Sequence, residues 1–261
     1  QPGKTYPGDE LAKARKITDT IFVVYDLETT GFHPEVNRPV QVGAVKFRVK
    51  SDGSIEVLGT FDSFVDPKAP MPADVTLFTN ITDGDLKGQP TIDQVLPELR
   101  AFIGEDAVLL GHNVGFDVGF LGVQLKEHGI APMPNVVLDT RDMVKNIFPD
   151  ILDRRLEELL NLWGLGGVEE HNGLADARDT AKVFGRVLQR IAELKNGPVS
   201  QLTVGDAAGA TVNFHFDTVL ESLAGLPVEN PRKATPADVL EIRAKALELF
   251  WQRKPSQLRD V

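Results

Sequence analysis

Cysteine is absent from this 261-residue chain. That excludes a disulfide framework, a thiolate zinc site and a cysteine nucleophile. It agrees with a reducing compartment, and with no secretory signal legible the cytoplasm is the expected location. Long apolar runs are missing as well. Near the start the longest is Ile21 to Tyr25, far too short to cross a bilayer, so no membrane partner is expected. An excess of basic residues is also lacking. Lys and Arg total 28 against 38 Asp and Glu, a net charge of −10. Such a field repels nucleic acid and anionic membranes, so any polyanion must be held locally, by metal ions or a partner.

The composition that remains is ordinary for a globular protein, with 42% hydrophobic and 25% charged residues. Residues 1–16 are polar, contain Pro2, Gly3, Pro7 and Gly8, and read as a flexible lead-in. Ile21 to Tyr25, Val40 to Val49 and Ile55 to Val65 are strand candidates. Ser51-Asp52-Gly53-Ser54 joins the last two as a hairpin, so an antiparallel meander is expected. The period then becomes helical over 91–103, with Ile92, Val95, Leu96, Leu99 and Phe102. A short strand over 107–111, a helix over 114–128, a strand over 136–138 and helices near 140–148 and 153–162 follow. A long helix from about Leu174 to Leu194 carries Ala177, Ala181, Phe184, Leu188 and Ile191 on one face. This order predicts a mixed α/β sheet covered by helices. Asn196-Gly197-Pro198 marks a boundary. Three segments are therefore expected: 1–16, a domain over 17–195, and a small α+β extension over 196–261. In the extension, a strand is expected over 212–217, a loop over 225–236, and a helix from Pro236 to about Arg253.

Three short stretches carry chemistry. In Asp26-Leu27-Glu28-Thr29-Thr30-Gly31, residues i and i+2 of a strand put two carboxylates on one face. Their repulsion is relieved by a hard divalent cation such as Mg²⁺ or Mn²⁺. His112-Asn113-Val114-Gly115-Phe116-Asp117 follows a strand and enters a helix, with Asn113 as the expected N-cap. If the strand over 107–111 runs parallel to the first, Asp117 falls near Asp26 and Glu28. In His171-Asn172-Gly173-Leu174-Ala175-Asp176, the histidine belongs on a bend before the helix and Asp176 in its first turn. Taken singly, the plainer readings are an acidic turn, a helix start and a cap. Taken together, Asp26, Glu28, Asp117 and Asp176 would form a cluster too costly to build for stability alone. A pair of divalent ions would balance it and clamp a phosphodiester, with His171 as general base.

The three motifs, in this order and these contexts, closely resemble those of the DnaQ-like (DEDDh) 3′→5′ exonucleases, which include the proofreading subunit of a bacterial DNA polymerase. The resemblance covers residues 18–195. It implies an RNase H-like fold with a mixed five-stranded sheet, two bound Mg²⁺ or Mn²⁺ ions, and release of nucleoside 5′-monophosphates from 3′ ends. By motif position it makes Asp26, Glu28, Asp117 and Asp176 metal ligands and His171 the base. Thr29, Thr30 and Gly31 should meet the terminal nucleotide, Phe32 should stack on a base or pack in the core, and His112 and Asn113 should touch substrate or shape their turn. The expected substrate is a DNA 3′ end, single-stranded or frayed, in proofreading or repair. An RNA-trimming exonuclease and a noncatalytic polymerase-associated subunit are the alternatives. A polymerase or sliding clamp is the expected partner, and Gln201-Leu202-Thr203-Val204 faintly resembles a clamp-binding peptide.

Overall fold

A five-stranded sheet organises the chain, with strand order β3-β2-β1-β4-β5. The computed structural model describes residues 13–131, 133–166 and 171–211. The strands are β1 (Phe22–Thr29), β2 (Pro39–Val49), β3 (Ile55–Phe64), β4 (Val108–Gly111) and β5 (Val137–Asp139). β1 to β3 form the expected antiparallel meander, while β4 and β5 run parallel to β1. β1 is longer than its apolar run suggests. It continues through Asp26 and Glu28, because β2 keeps pairing with it as far as Thr29↔Pro39. Both acids therefore sit within the strand, as their spacing on one face required.

Helices cover both faces. They are α1 (Ala73–Thr79), α2 (Asp83–Leu86), α3 (Ile92–Ile103), α4 (Gly115–Glu127), α5 (Thr140–Ile147), α6 (Leu156–Trp163), α7 (Gly173–Leu194) and α8 (Val204–Ala210). The short α1 and α2 are unforeseen in the sequence. α2 begins with a capping box between Thr82 and Asp85, a local signal for its start. The alternation of β1 sorts the core into two layers. Phe22 and Val24 pack with Phe184 and Leu188 of α7, whereas Val23, Tyr25 and Leu27 pack with Phe120 and Leu125 of α4. Asp26 and Glu28 continue the α7 side of the strand by the period of two.

Two expectations change at the edges of the domain. Residues 15 and 16, read as lead-in, are tied to the chain beyond α7. Lys16 bridges Thr203, and Val204 N–H donates to the Arg15 carbonyl at 2.9 Å. Nor does Asn196-Gly197-Pro198 end the packing, for Val199, Leu202, Val204 and Ala207 are buried in the α7-side core. The same burial removes Gln201 to Val204 as a docking peptide: its two apolar residues face inward, and Thr203 caps α8. The segments expected over 212–217, 225–236 and 236–253 lie outside the described residues. Among the described residues, no helix is long and apolar enough to cross a membrane.

Candidate active site

The acids converge because α7 comes down onto the sheet beside β1. Its start, Gly173, lies against Gly43 of β2, the register partner of Asp26. A Cβ on Gly43 would fall 2.0 Å from the Gly173 carbonyl carbon, and one on Gly173 would fall 2.9 Å from the Asp26 carbonyl oxygen. Only two glycines allow this approach. Gln41, buried and opposite Glu28, fixes it further. Its Oε1 accepts the Gly173 N–H at 3.2 Å, and its Nε2 donates to Asp62 at 2.9 Å. Asn172 caps the helix by accepting from Ala175 N–H at 3.2 Å.

One turn along α7, Asp176 meets the strand acids. One carboxylate oxygen from each of Asp26, Glu28 and Asp176 lies within 4.8 Å of the others, with Asp176 buried and the other two half-buried. Crowded carboxylates repel one another in a poorly solvated place, and oxygen-only donors suit a hard divalent cation. The donor set therefore fits the metal expected from the sequence.

Asp117 approaches differently. It lies in the first turn of α4, buried, and its Oδ1 accepts the Leu27 N–H at 3.0 Å. Its carboxyl is thus bound to the backbone between Asp26 and Glu28, yet it does not join the group of three within 4.8 Å. Burial, with the charge of Asp139 adding to it, raises its pKa to about 7. His171 precedes α7 on an exposed bend at φ 47°, as Gly173 suggested. Its ring stands edge-on to Phe78 of α1, 6.3 Å between centroids.

The remaining expected residues divide. Phe32 is 82% exposed, which decides against core packing, and its ring lies edge-on to Phe116, 6.5 Å between centroids. The Thr29 hydroxyl donates to the Gly31 carbonyl at 2.5 Å, and the Thr30 hydroxyl accepts the Arg38 N–H at 3.0 Å, so both shape the turn after β1. The Gly31 backbone lies close beneath the Asn37 side chain. His112 is engaged at both ring nitrogens, by Thr140 Oγ1 at 2.9 Å and the Arg154 carbonyl at 2.7 Å, and burial lowers its pKa. Both contacts hold its turn. Asn113 is not the N-cap expected of it. It adopts a left-handed conformation, φ 68°, and Val114 occupies the cap position.

Sequence reasoning missed Gln41, Gly43, Phe78 and Asp139. Gly43 interrupts an apolar strand, which signals a close backbone approach. Asp139, an acid just before a helix, carries the signal of an N-cap but not of its reach to the Asn113 turn, and Gln41 and Phe78 carry no local signal.

A mixed sheet whose central strand presents acids to a long covering helix is the RNase H-like exonuclease architecture. The chain belongs to this exonuclease family: the family model described as Exonuclease matches residues 23–184. The chain is 37% identical over 177 residues to the DNA polymerase III PolC-type of Halalkalibacterium halodurans, and 36% over 175 residues to that of Clostridium perfringens. These alignments cover 68% and 67% of the chain but 12% of each relative, so the chain spans a small part of their length. Among solved structures, E. coli exonuclease I in complex with a dT13 oligonucleotide superposes with a TM-score of 0.58 at 21% identity, covering 68% of this chain and 43% of that one. Exonuclease X in complex with 5′ overhanging duplex DNA gives 0.54 at 20%, covering 73% and 99%. The likeness to DnaQ-like exonucleases read from the three motifs holds.

Proposed function

We propose that this chain is the exonuclease unit of a DNA-synthesising or DNA-repairing assembly, and that it hydrolyses single-stranded or frayed DNA from the 3′ end. One observation carries the reading: the close approach of Asp26, Glu28 and Asp176 from segments 150 residues apart, in a family of exonucleases. The kinship with PolC-type polymerases and the fold shared with an oligonucleotide-bound exonuclease favour DNA and a polymerase partner over RNA.

In this reading Asp26, Glu28 and Asp176 would hold two Mg²⁺ or Mn²⁺ ions, with Asp117 completing the acid set from the Leu27 backbone. Ions held there would supply positive charge against the cluster and Lewis-acid stabilisation of charge on a phosphodiester. His171, exposed on its bend, takes a proton from the attacking water, a role worth roughly 10²–10⁴ in rate. Phe32 and Phe78 offer exposed aromatic faces, which stack on bases without regard to sequence. Gly31 brings backbone close to the terminal nucleotide. The product is a nucleoside 5′-monophosphate.

Digestion of 3′-labelled and 5′-labelled DNA and RNA oligomers tests this, with Mg²⁺, Mn²⁺ or EDTA. Mononucleotides should leave the 3′ end of DNA first, and EDTA should stop their release. Cleavage from the 5′ end, or activity unchanged by EDTA, refutes the proposal. Faster loss from RNA moves the assignment to an exoribonuclease.

A further inference from the structure

Asp139 lies at the end of β5, on the outer edge of the sheet, and none of the three motifs contains it. Its carboxylate nevertheless gathers four backbone N–H groups from two helix starts. Oδ1 accepts from Asn113 at 3.0 Å, Arg141 at 2.8 Å and Asp142 at 3.4 Å, while Oδ2 accepts from Val114 at 3.0 Å. The bonds to Arg141 and Asp142 cap its own helix, α5. The bonds to Asn113 and Val114 reach across to the turn between β4 and α4.

That turn is also held through the His112 ring, by Thr140 and the Arg154 carbonyl, but its Asn113 and Val114 amides are met by Asp139. α4 begins without a side-chain cap of its own. Asn113 is held at φ 68°, and Arg141 donates to its Oδ1 at 3.1 Å. Thr140, next to Asp139, donates to the Gly111 carbonyl at 3.1 Å. Residues 139–141 therefore grip residues 111–114 from one side. Three residues beyond Val114, Asp117 must reach the Leu27 N–H, in a part of β1 past its last register pair with β4, Val24↔Leu110.

We propose that Asp139 is a positioning residue: through the Asn113 and Val114 N–H groups it sets where α4 begins, and so holds Asp117 at the Leu27 backbone between the two strand acids. This rests on the exonuclease reading for its consequence in catalysis, but not for its geometry. A cap serving the fold alone would need only the two bonds to α5. The reach to the other helix start is what ties Asp139 to the site.

Two variants separate these roles. Asp139→Asn keeps the shape but turns an NH₂ toward a backbone donor. Asp139→Ser keeps a good N-cap for α5 while its single short hydroxyl cannot span to the Asn113 and Val114 amides. In the full chain, both should lower kcat on a 3′-labelled single-stranded DNA oligomer by on the order of tenfold to a hundredfold. KM should stay within about twofold, since substrate contacts are untouched. Asp117→Asn combined with Asp139→Ser should be no slower than Asp117→Asn alone, because the second change acts through the first.

Amide hydrogen exchange at Leu27, followed by NMR without added metal, reads the geometry independently of turnover. It should quicken in both variants, while the amide of Phe22 at the far end of β1 stays protected. Unchanged exchange at Leu27 in folded Asp139→Ser overturns the proposal, as do losses in kcat that multiply in the double variant. If the parent chain releases no nucleotide from DNA or RNA, the functional reading falls. Leu27 exchange then still decides whether Asp139 places Asp117.

Discussion

Gly43→Ala places the smallest possible obstacle where α7 meets the sheet. The added methyl would sit 2.0 Å from the Gly173 carbonyl carbon, 2.1 Å from the Leu174 nitrogen and 2.4 Å from the Gly173 oxygen. All three are backbone atoms, so no rotamer change relieves the contact. Restoring a carbon–carbon separation of about 3.5 Å requires the helix start to retreat by roughly 1.5 Å. Gly173 is tied to Gln41 at 3.2 Å, and Asp176 follows one turn later, so the retreat carries the third carboxylate away from Asp26 and Glu28. Overpacking of this kind costs about 1–3 kcal/mol, which a domain of this size can survive. A misplacement of about 1 Å at reacting groups can cost on the order of a hundredfold in rate. Gly43→Ala should therefore remain folded by circular dichroism, unfold at lower denaturant, and cleave 3′-labelled DNA about a hundredfold more slowly. Gly59→Ala is the control: its methyl would meet only Phe102 Cε2, at an ordinary 3.6 Å. A Gly43→Ala protein with parental turnover, and with its acids still within reach of one another in a crystal structure, would refute the reasoning.

Three further outcomes are expected. Asp26→Ala should abolish nucleotide release while leaving the melting temperature of the metal-free protein unchanged or higher, since one of three crowded carboxylates is gone; near-parental turnover would contradict the cluster's role. His171→Ala should lower kcat by roughly 10²–10⁴ with little change in KM, and a selective loss of affinity would count against a general base. The pH dependence follows from Asp117, whose pKa burial raises from 3.8 to about 7. In EDTA the folded state keeps a proton that the unfolded chain releases above 3.8, so this contribution to stability is complete below 3.8 and is lost as pH rises through about 7. Asp117→Asn should flatten that decline in urea unfolding measured across this range, and equal slopes in the two proteins would exclude it.

The sheet, its long covering helix and the three acidic motifs were legible in the sequence, whereas the short α1 and α2 were not. The apolar runs and the hairpin at Ser51 to Ser54 specify a meander, and the stripe from Ala177 to Ile191 specifies its covering helix; all five stripe residues are buried. The spacing of Asp26 and Glu28 puts two acids on one strand face, and His171 falls before the helix that bears Asp176, with Asn172 between them as its cap. Such features are local, written in the period of the backbone and in the residues that bend it. What meets across long separations came from the packing. The tie from Arg15 and Lys16 to residues 203 and 204, the seat of Gly173 on Gly43, the cross-link from Asp139 to the Asn113 turn, and the contact of Phe78 with His171 depend on which surfaces the sheet order brings face to face. A periodicity shows which side of an element is buried, but not against which atoms. For the same reason the sequence indicated that Asp117 belongs near Asp26 and Glu28, while the packing of α4 decided that it reaches them through the backbone of Leu27.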